Sequence, residues 1–193
     1  MKLGKRGALI LVDVQNDFCP GGALPVPEGD RVVPVLNDYV RFFINAGAPI
    51  YATRDWHPPE HLSFKPQGGI WPPHCVQGTP GAEFHPALAL PDQAAIVSKG
   101  SDPKEEAYSG FQGTGLAERL KRQGIRRLFI GGLATDYCVK NTVLDSLGAG
   151  FETVLLRDAS RGVEGAPGDT EKALAEMEEA GAHAVTFPEL KAD

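Results

Sequence analysis

The chain has 193 residues, of which 42% are hydrophobic and 23% are charged, and its formal net charge is -6. This composition excludes a disordered or fibrous protein, and the length suits one domain with a sizeable core, so we predict a single domain over residues 1–193. The acidic balance, with no cluster of Lys or Arg, disfavours nucleic acid and anionic membranes as partners and favours a small molecule.

The N-terminal residues have a basic start followed by an apolar run. The run from Ala8 to Val12 is short and ends at Asp13, so we predict that it is a strand and not part of a signal peptide. No stretch approaches the roughly 20 apolar residues that a membrane helix needs. The sequence therefore predicts no membrane segment.

Short apolar runs rich in β-branched residues alternate with stretches of helical spacing along the chain. The apolar runs predict strands at residues 7–14, 48–54, 94–100, 127–133, 152–158 and 184–187. The intervening stretches predict helices at residues 32–46, 115–123, 136–147 and 170–180, closed by Gly47, Gly124, Gly148 and Gly181. This alternation is typical of a three-layer, Rossmann-like α/β fold with a mainly parallel sheet between helices.

One connection, residues 54–93, has little periodicity and is far longer than the typical length of about 2 to 6 residues. It contains Asp55 and His57 two residues apart, followed by His61 and His74. Carboxylate and imidazole ligands without thiolate suit Zn²⁺, Mn²⁺ or Fe²⁺. We therefore predict a metal site that holds this loop together, because coordination contributes to folding free energy.

Reactive side chains stand where four predicted strands end. Asp13 ends the first strand, Asp55 follows the second, Lys99 ends the third, and Cys138 lies on the helix after the fourth. Because the carboxyl ends of parallel strands share one edge of the sheet, we expect these side chains to converge there. Each has an ordinary structural explanation when taken alone, and only their convergence favours a catalytic site.

The chemistry of these groups suits acyl transfer. A thiolate is a nucleophile, and Lys99 and the start of a helix would lower the pKa of Cys138. Asp13 would accept the thiol proton, and the glycine-rich turn before Cys138 would supply backbone N–H groups for an oxyanion. The aromatic side chains of Phe18, Trp71 and Tyr108 suit a flat ring substrate, although core packing explains Phe18 and Tyr108 equally well.

Five segments together resemble the nicotinamidases of the cysteine-hydrolase, or isochorismatase-like, superfamily: DVQNDFCPGGAL, TRDWHP with the HLSF that follows, WPPHCVQGTPGAEF, VSKG and GGLATDYCV. The resemblance implies a six-stranded parallel sheet with helices on both faces. It further implies hydrolysis of nicotinamide to nicotinate and ammonia through a cysteine thioester, in NAD salvage. Pyrazinamide as a substrate and a homo-oligomeric assembly are compatible with it.

The resemblance also implies roles for individual residues. It implies a catalytic triad of Asp13, Lys99 and Cys138, and one divalent ion, with Zn²⁺ preferred to Fe²⁺ or Mn²⁺, on Asp55, His57 and His74. It implies a cis peptide before Thr135 and an oxyanion hole formed by the amides of Ala134 and Cys138. The substrate contacts that it implies are Phe18, Trp71, Ala134 and Tyr108. His61 stays outside the ligand set because its spacing differs from that of the further ligand in some nicotinamidases.

Two alternatives stay open on the sequence alone. The first is another amidase of the superfamily that acts on a non-pyridine amide, against which the Asp-x-His motif with its later His counts. The second is a non-catalytic protein that binds metal through thiol and histidine, against which the unpaired spacing of Cys75 and Cys138 counts. The three cysteines also lack the spacing of a disulfide framework, which favours a cytoplasmic location.

Overall fold

Six strands form one sheet in the computed structural model, which describes residues 1–4 and 6–191. The strands are β1 (Gly7–Val12), β2 (Ile50–Asp55), β3 (Ala95–Lys99), β4 (Arg127–Leu133), β5 (Glu152–Arg161) and β6 (His183–Val185). Their order is β3-β2-β1-β4-β5-β6, and every neighbouring pair is parallel. The predicted α/β fold with a parallel sheet is confirmed.

Helices cover both faces of the sheet. They are α1 (Val32–Asn45), α2 (Leu116–Arg122), α3 (Lys140–Gly148) and α4 (Asp169–Glu179). Leu9 and Leu11 of β1 face the cluster that contains α1, whereas Ile10 faces the cluster that contains the other three helices. This alternation follows from the two-residue period of a strand. None of the helices in the described part of the chain has the length and apolar character that crossing a membrane requires.

Two details of the helices differ from the predictions. Residues 135–139 form a π-helical turn before α3, where the sequence predicted the first turn of an α-helix. Gly148 lies inside α3, and the left-handed glycine that follows this helix is Gly150, with φ 87°. Periodicity reports the face of a helix and cannot distinguish a π turn from an α turn, because the two differ by one residue per hydrogen-bonded ring.

The strand order reverses between β1 and β4, so the connections after these two strands leave the sheet in opposite directions. A crevice opens at such a switch point, outside the carboxyl ends of the strands. The two strands approach so closely that a Cβ on Gly132 would lie 2.1 Å from the Val12 carbonyl oxygen, and Gly132 has φ 135°. Only glycine fits this position of β4.

The long connection between β2 and β3 is held by short backbone interactions. It contains 3₁₀ turns at Lys65–Gln67 and Pro80–Ala82, and isolated bridges join His57 to Val76 and Phe64 to Trp71. A further bridge joins Gln15, in the loop after β1, to Phe84. The connection is therefore an ordered layer over the switch point.

Candidate active site

Asp13, Lys99 and Cys138 meet at the carboxyl ends of the strands. The Lys99 Nζ atom lies 2.9 Å from Asp13 Oδ2 and 3.4 Å from Cys138 Sγ. All three side chains are buried. The structure thus brings together the three residues for which the sequence predicts catalytic roles.

Asp13 is held on two sides by Thr53 of β2. The Thr53 hydroxyl donates a hydrogen bond of 2.6 Å to Asp13 Oδ1, and the Thr53 carbonyl accepts one of 3.2 Å from the Asp13 N–H. Asp13 has φ 48°, so the chain leaves the line of β1 at this residue. Its Oδ2 atom forms the ion pair with Lys99 and accepts no hydrogen bond among the described residues. A carboxylate oxygen has more than one lone pair, so Oδ2 can receive a proton while it is paired with Lys99.

Burial has the largest influence on the pKa of the Cys138 thiol. It raises the pKa of the Cys138 thiol well above the ordinary value; Lys99 lowers this pKa in part, and the Asp13 and Asp55 carboxylates raise it further. Burial also raises the pKa of Asp13, although Lys99 opposes the rise. The expected effect of Lys99 on the thiol is therefore present but outweighed, because burial, the largest influence, raises this pKa more than Lys99 lowers it. This geometry favours a neutral thiol at rest, beside an acceptor for its proton.

A second cluster consists of Asp55, His57 and His74, whose potential ligand atoms all lie within 4.8 Å of one another. The Nε2 atoms of the two histidines are 3.5 Å and 3.9 Å from Asp55 Oδ2. Their Nδ1 atoms are 2.9 Å and 2.8 Å from the carbonyl oxygens of Gly100 and Pro72. Histidines that bind metal commonly have this backbone partner, and the buried donor set suits a divalent metal ion.

His61 lies beside this cluster but faces away from it. The centroid of its ring lies 4.2 Å from the centroid of the His57 ring, and the two rings are tilted by 38°. Its Nδ1 atom is 2.7 Å from Ser63 Oγ, and its Nε2 atom is 3.0 Å from the Glu105 carbonyl oxygen. Both ring nitrogens have partners outside the cluster, and the exclusion of His61 from the ligand set stays a prediction.

Asp55 links the two clusters. Its Oδ1 atom contacts Lys99 Nζ at close range, while its Oδ2 atom faces His57 and His74. Burial opposes ionisation of this carboxyl group, but Lys99 and His57 outweigh it and lower the pKa of Asp55 below its usual range. The carboxylate is therefore charged, as a metal ligand must be.

A small cavity lies against both clusters, and Asp55, His74 and Cys138 contribute to its wall. The four predicted substrate contacts also line it: Phe18, Trp71, Tyr108 and Ala134. The Trp71 indole N–H donates a 3.0 Å hydrogen bond to the Tyr108 hydroxyl. The aromatic lining suits a flat ring.

The turn that carries Cys138 begins directly after β4. The cis peptide joins Leu133 to Ala134, so the predicted position before Thr135 is wrong by one bond. The cis bond directly follows Leu133, the last residue of β4. Ala134 is the N-cap of the π-helical turn, and Cys138 lies within it. Amides in the first turn of a helix lack acceptors inside that helix.

The family model for the isochorismatase domain matches residues 7–189. The chain belongs to the isochorismatase family. The nicotinamidase of Escherichia coli K12 is 43% identical to it, covering 93% of this chain and 94% of its own length.

Among solved structures, the pyrazinamidase of Pyrococcus horikoshii in complex with zinc is 55% identical, with a TM-score of 0.91, and the match covers 94% of this chain and 99% of that one. A protein of L. infantum in complex with nicotinate is 34% identical, with a TM-score of 0.91, and covers 100% of this chain and 99% of its own.

The sequence alone did not predict several site residues of this isochorismatase-family chain. Besides Thr53, they are the cavity residues Leu24, Val26, Tyr137 and Val163 and the buried Gln15. The segment DVQND offered one signal, since Asp13, Gln15 and Asp17 alternate just after a strand. The Oδ2 atom of Asp17 accepts a 2.7 Å hydrogen bond from the Cys75 N–H in the distant loop, and no local pattern reveals such a contact.

Proposed function

We propose that the chain hydrolyses nicotinamide to nicotinate and ammonia through a thioester on Cys138, as a step of NAD salvage. One observation carries this proposal: a single aromatic cavity has the thiol of Cys138 and the cluster of Asp55 and His74 in its wall. Membership of the isochorismatase family and the names of the similar proteins support it.

In the first half of the reaction, Cys138 Sγ attacks the carboxamide carbon while Asp13 Oδ2 accepts the thiol proton. The amide N–H groups of Ala134 and Cys138 hold the oxyanion that develops on the carbonyl oxygen. The carbon–nitrogen bond then breaks, and the proton on Asp13 passes to the departing ammonia. Lys99 holds the Asp13 carboxylate in place and favours the negative charge as it forms on sulfur.

In the second half, a water molecule attacks the thioester carbon and Asp13 accepts a proton from it. The carbon–sulfur bond breaks, the proton on Asp13 returns to the Cys138 sulfur, and nicotinic acid leaves and gives its proton to solvent to become nicotinate. The thiol and the carboxylate are then in their starting state. One residue therefore serves as base and acid in turn, which is possible because a carboxylate oxygen paired with Lys99 still has a lone pair for a proton.

Asp55, His57 and His74 would hold one divalent ion, and we propose zinc, with Fe²⁺ and Mn²⁺ as alternatives. When bound, the ion supplies a Lewis-acidic position that suits the ring nitrogen of a pyridine. Phe18, Trp71 and Tyr108 would flank the ring. We propose pyrazinamide as a second substrate on the same ground, since it also has an aromatic nitrogen and a carboxamide.

We further propose that residues 1–193 form one cysteine-hydrolase domain, with residues 54–93 as its metal-binding loop. Cys19, Cys75 and Cys138 are free thiols. Free thiols persist in a reducing compartment, which supports a cytoplasmic location.

The test is a coupled ammonia assay on nicotinamide, pyrazinamide, benzamide and maleamate, with and without a chelator. We expect ammonia release from nicotinamide and pyrazinamide, whose rings contain nitrogen. We expect the chelator to abolish this release. Cys138→Ala should lower turnover by about 10³-fold or more, because the nucleophile is gone. The matched control is Cys19→Ala, which should stay active, since Cys19 is buried outside the lining of the cavity that Cys138 borders. Preferential turnover of maleamate would favour the non-pyridine alternative.

A further inference from the structure

Gln15 is a buried side chain that the proposed mechanism does not use. It lies two residues after Asp13 and is fully shielded from solvent. Its Oε1 atom accepts a 2.8 Å hydrogen bond from the Asp55 N–H, and its Nε2 atom donates to the Asp55 carbonyl at 2.8 Å. A third bond of 2.9 Å runs from Nε2 to the Ala82 carbonyl. All three interactions are with backbone far away in the sequence.

The Gln15 carboxamide lies beside Asp55, at the position where a neighbouring strand would otherwise pair with β2. On one side, Asp55 is in register with Lys99 of β3. On the other side β1 ends at Val12, and Asp13 turns the chain away with φ 48°. The Asp55 backbone would therefore have unpaired polar groups on that side, in a buried position where such groups are costly. Gln15 satisfies both groups at once.

Fixing the backbone of Asp55 fixes the direction of its carboxylate. Asp55 Oδ1 contacts Lys99, and Oδ2 lies 3.5 Å from the Nε2 atom of His57. A small rotation of the Asp55 backbone would move Oδ1 away from Lys99 and Oδ2 away from His57. The bond from Gln15 to the Ala82 carbonyl also fastens the far end of the long loop to the same point.

We propose that Gln15 is a positioning residue that orients Asp55 for metal binding. The proposal rests on the metal site of the proposed function and extends it to a residue that does not touch the ion. Partners that orient a metal ligand typically change metal affinity by about 10- to 100-fold when they are removed. Gln15 orients its ligand through the backbone and not through the carboxylate.

The experiment compares Gln15→Met with Asn16→Leu. Gln15→Met keeps the length of the side chain and removes its three hydrogen bonds. The control removes a 2.8 Å bond from Asn16 to the Pro80 carbonyl, which joins the same two segments without touching Asp55. Zinc affinity is measured by competition with a chromophoric chelator, and the visible spectrum of the Co²⁺-loaded protein reports ligand geometry. Thermal unfolding of the metal-free proteins checks the fold.

We expect Gln15→Met to bind zinc about 10- to 100-fold more weakly than wild type, with an altered Co²⁺ spectrum, and Asn16→Leu to match wild type in both. Gln15→Asn keeps an amide on a side chain one methylene shorter, so its zinc affinity should lie between those of Gln15→Met and Asn16→Leu. If Gln15→Met does not fold, the zinc affinity of Gln15→Asn is the test. Wild-type zinc affinity in the folded Gln15 variants would overturn the role of Gln15 alone. A wild-type chain that binds no divalent ion would overturn the metal site itself.

Discussion

Lys99 is the residue on which the two halves of the site depend. Its buried ammonium group contacts carboxylates of both clusters, Asp13 and Asp55, and lies 3.4 Å from the sulfur of Cys138. Burial lowers the pKa of this amine, but the two carboxylates outweigh that effect and raise it well above the ordinary value. The lysine is therefore a permanent positive charge, which suits a group that stabilises a developing thiolate and cannot itself move a proton.

Lys99→Met should slow alkylation of Cys138 by iodoacetamide at neutral pH. Removing the cation leaves burial, Asp13 and Asp55 to raise the pKa of the thiol unopposed, so its alkylation profile should move to higher pH. The measurement is the alkylation rate of both proteins across a pH series, followed by mass spectrometry. Circular dichroism must show a folded variant, because two buried carboxylates lose their partner. Superimposable profiles would mean that Lys99 does not act on the thiol.

At the scale of elements, the contact between β1 and β4 builds the crevice. Val12 pairs with Gly132 in this ladder, one residue before Asp13. The chain then passes from Leu133 into the turn of Cys138. The spacing of nucleophile and base therefore depends on how closely these two strands approach.

Gly132→Ala should destabilise the protein by more than about 2 kcal/mol, because a Cβ would collide with β1 and φ 135° is strained for alanine. The matched control is Gly148→Ala, where a Cβ meets nothing within 4 Å inside α3. That variant should gain about 0.5 to 1 kcal/mol from helix propensity. Urea unfolding of the two variants gives both numbers, and equal stabilities would contradict this account of the β1–β4 contact.

Helix α1 is tied to the sheet by Tyr39, whose hydroxyl donates a 2.8 Å hydrogen bond to Asp158 Oδ1 on β5. Burial, followed by this bond, raises the pKa of Tyr39 above its ordinary value. The folded state therefore keeps the phenol proton longer than the unfolded chain does. The stability from this group is complete below the unfolded pKa of about 10 and is lost as the pH rises above it.

Tyr39→Phe should be less stable than wild type at pH 8 by about 1 kcal/mol, because the bond to Asp158 is lost. Above about pH 10 the stability of wild type should fall more steeply, by about 1.4 kcal/mol per pH unit, so the two proteins converge. Urea unfolding at a series of alkaline pH values measures the gap. The other titrating groups are common to both proteins and cancel. A gap that stays constant with pH would show that Tyr39 has an ordinary pKa.

At the scale of the whole molecule, the site is assembled from segments that are remote in sequence. The loop after β1 supplies Phe18, the long loop supplies His57, His74 and Trp71, and the turn after β4 supplies Cys138. Among the described residues, no single element carries both the thiol and the cluster of Asp55, His57 and His74. Substrate binding and nucleophilic attack can therefore be separated by mutation.

His57→Ala should weaken binding of nicotinamide by about tenfold or more and leave binding of benzamide, which lacks the ring nitrogen, nearly unchanged. The affinities are measured in a Cys138→Ala background so that neither amide is turned over. Removing the ion from the Cys138→Ala protein with a chelator should have the same selective effect. If the ion instead generated a hydroxide nucleophile, both amides would lose turnover equally in the single variant.

The control for this variant is His61→Ala, which removes a buried histidine of the same loop whose ring nitrogens contact Ser63 and Glu105. Limited proteolysis shows whether either variant loosens residues 54–93. Rapid alkylation of Cys138 in the single variants confirms an intact thiol. Equal losses for the two amides in a folded His57→Ala protein would defeat the ring-orienting role of the metal.

The sequence alone determined the layers, the strands and the edge of the sheet at which the reactive side chains converge. Period-two and period-3.6 patterns report local geometry, and a parallel sheet has only one carboxyl edge, so Asp13, Asp55, Lys99 and Cys138 had to face the same crevice. Only the tertiary structure decided how these groups act on one another. The bond from Gln15 to Asp55 spans 40 positions, as does the bond from Thr53 to Asp13. Burial of Cys138 reversed the expected direction of its pKa. Such contacts depend on strand register and on depth from solvent, which arise when distant segments pack and leave no periodic trace in the chain.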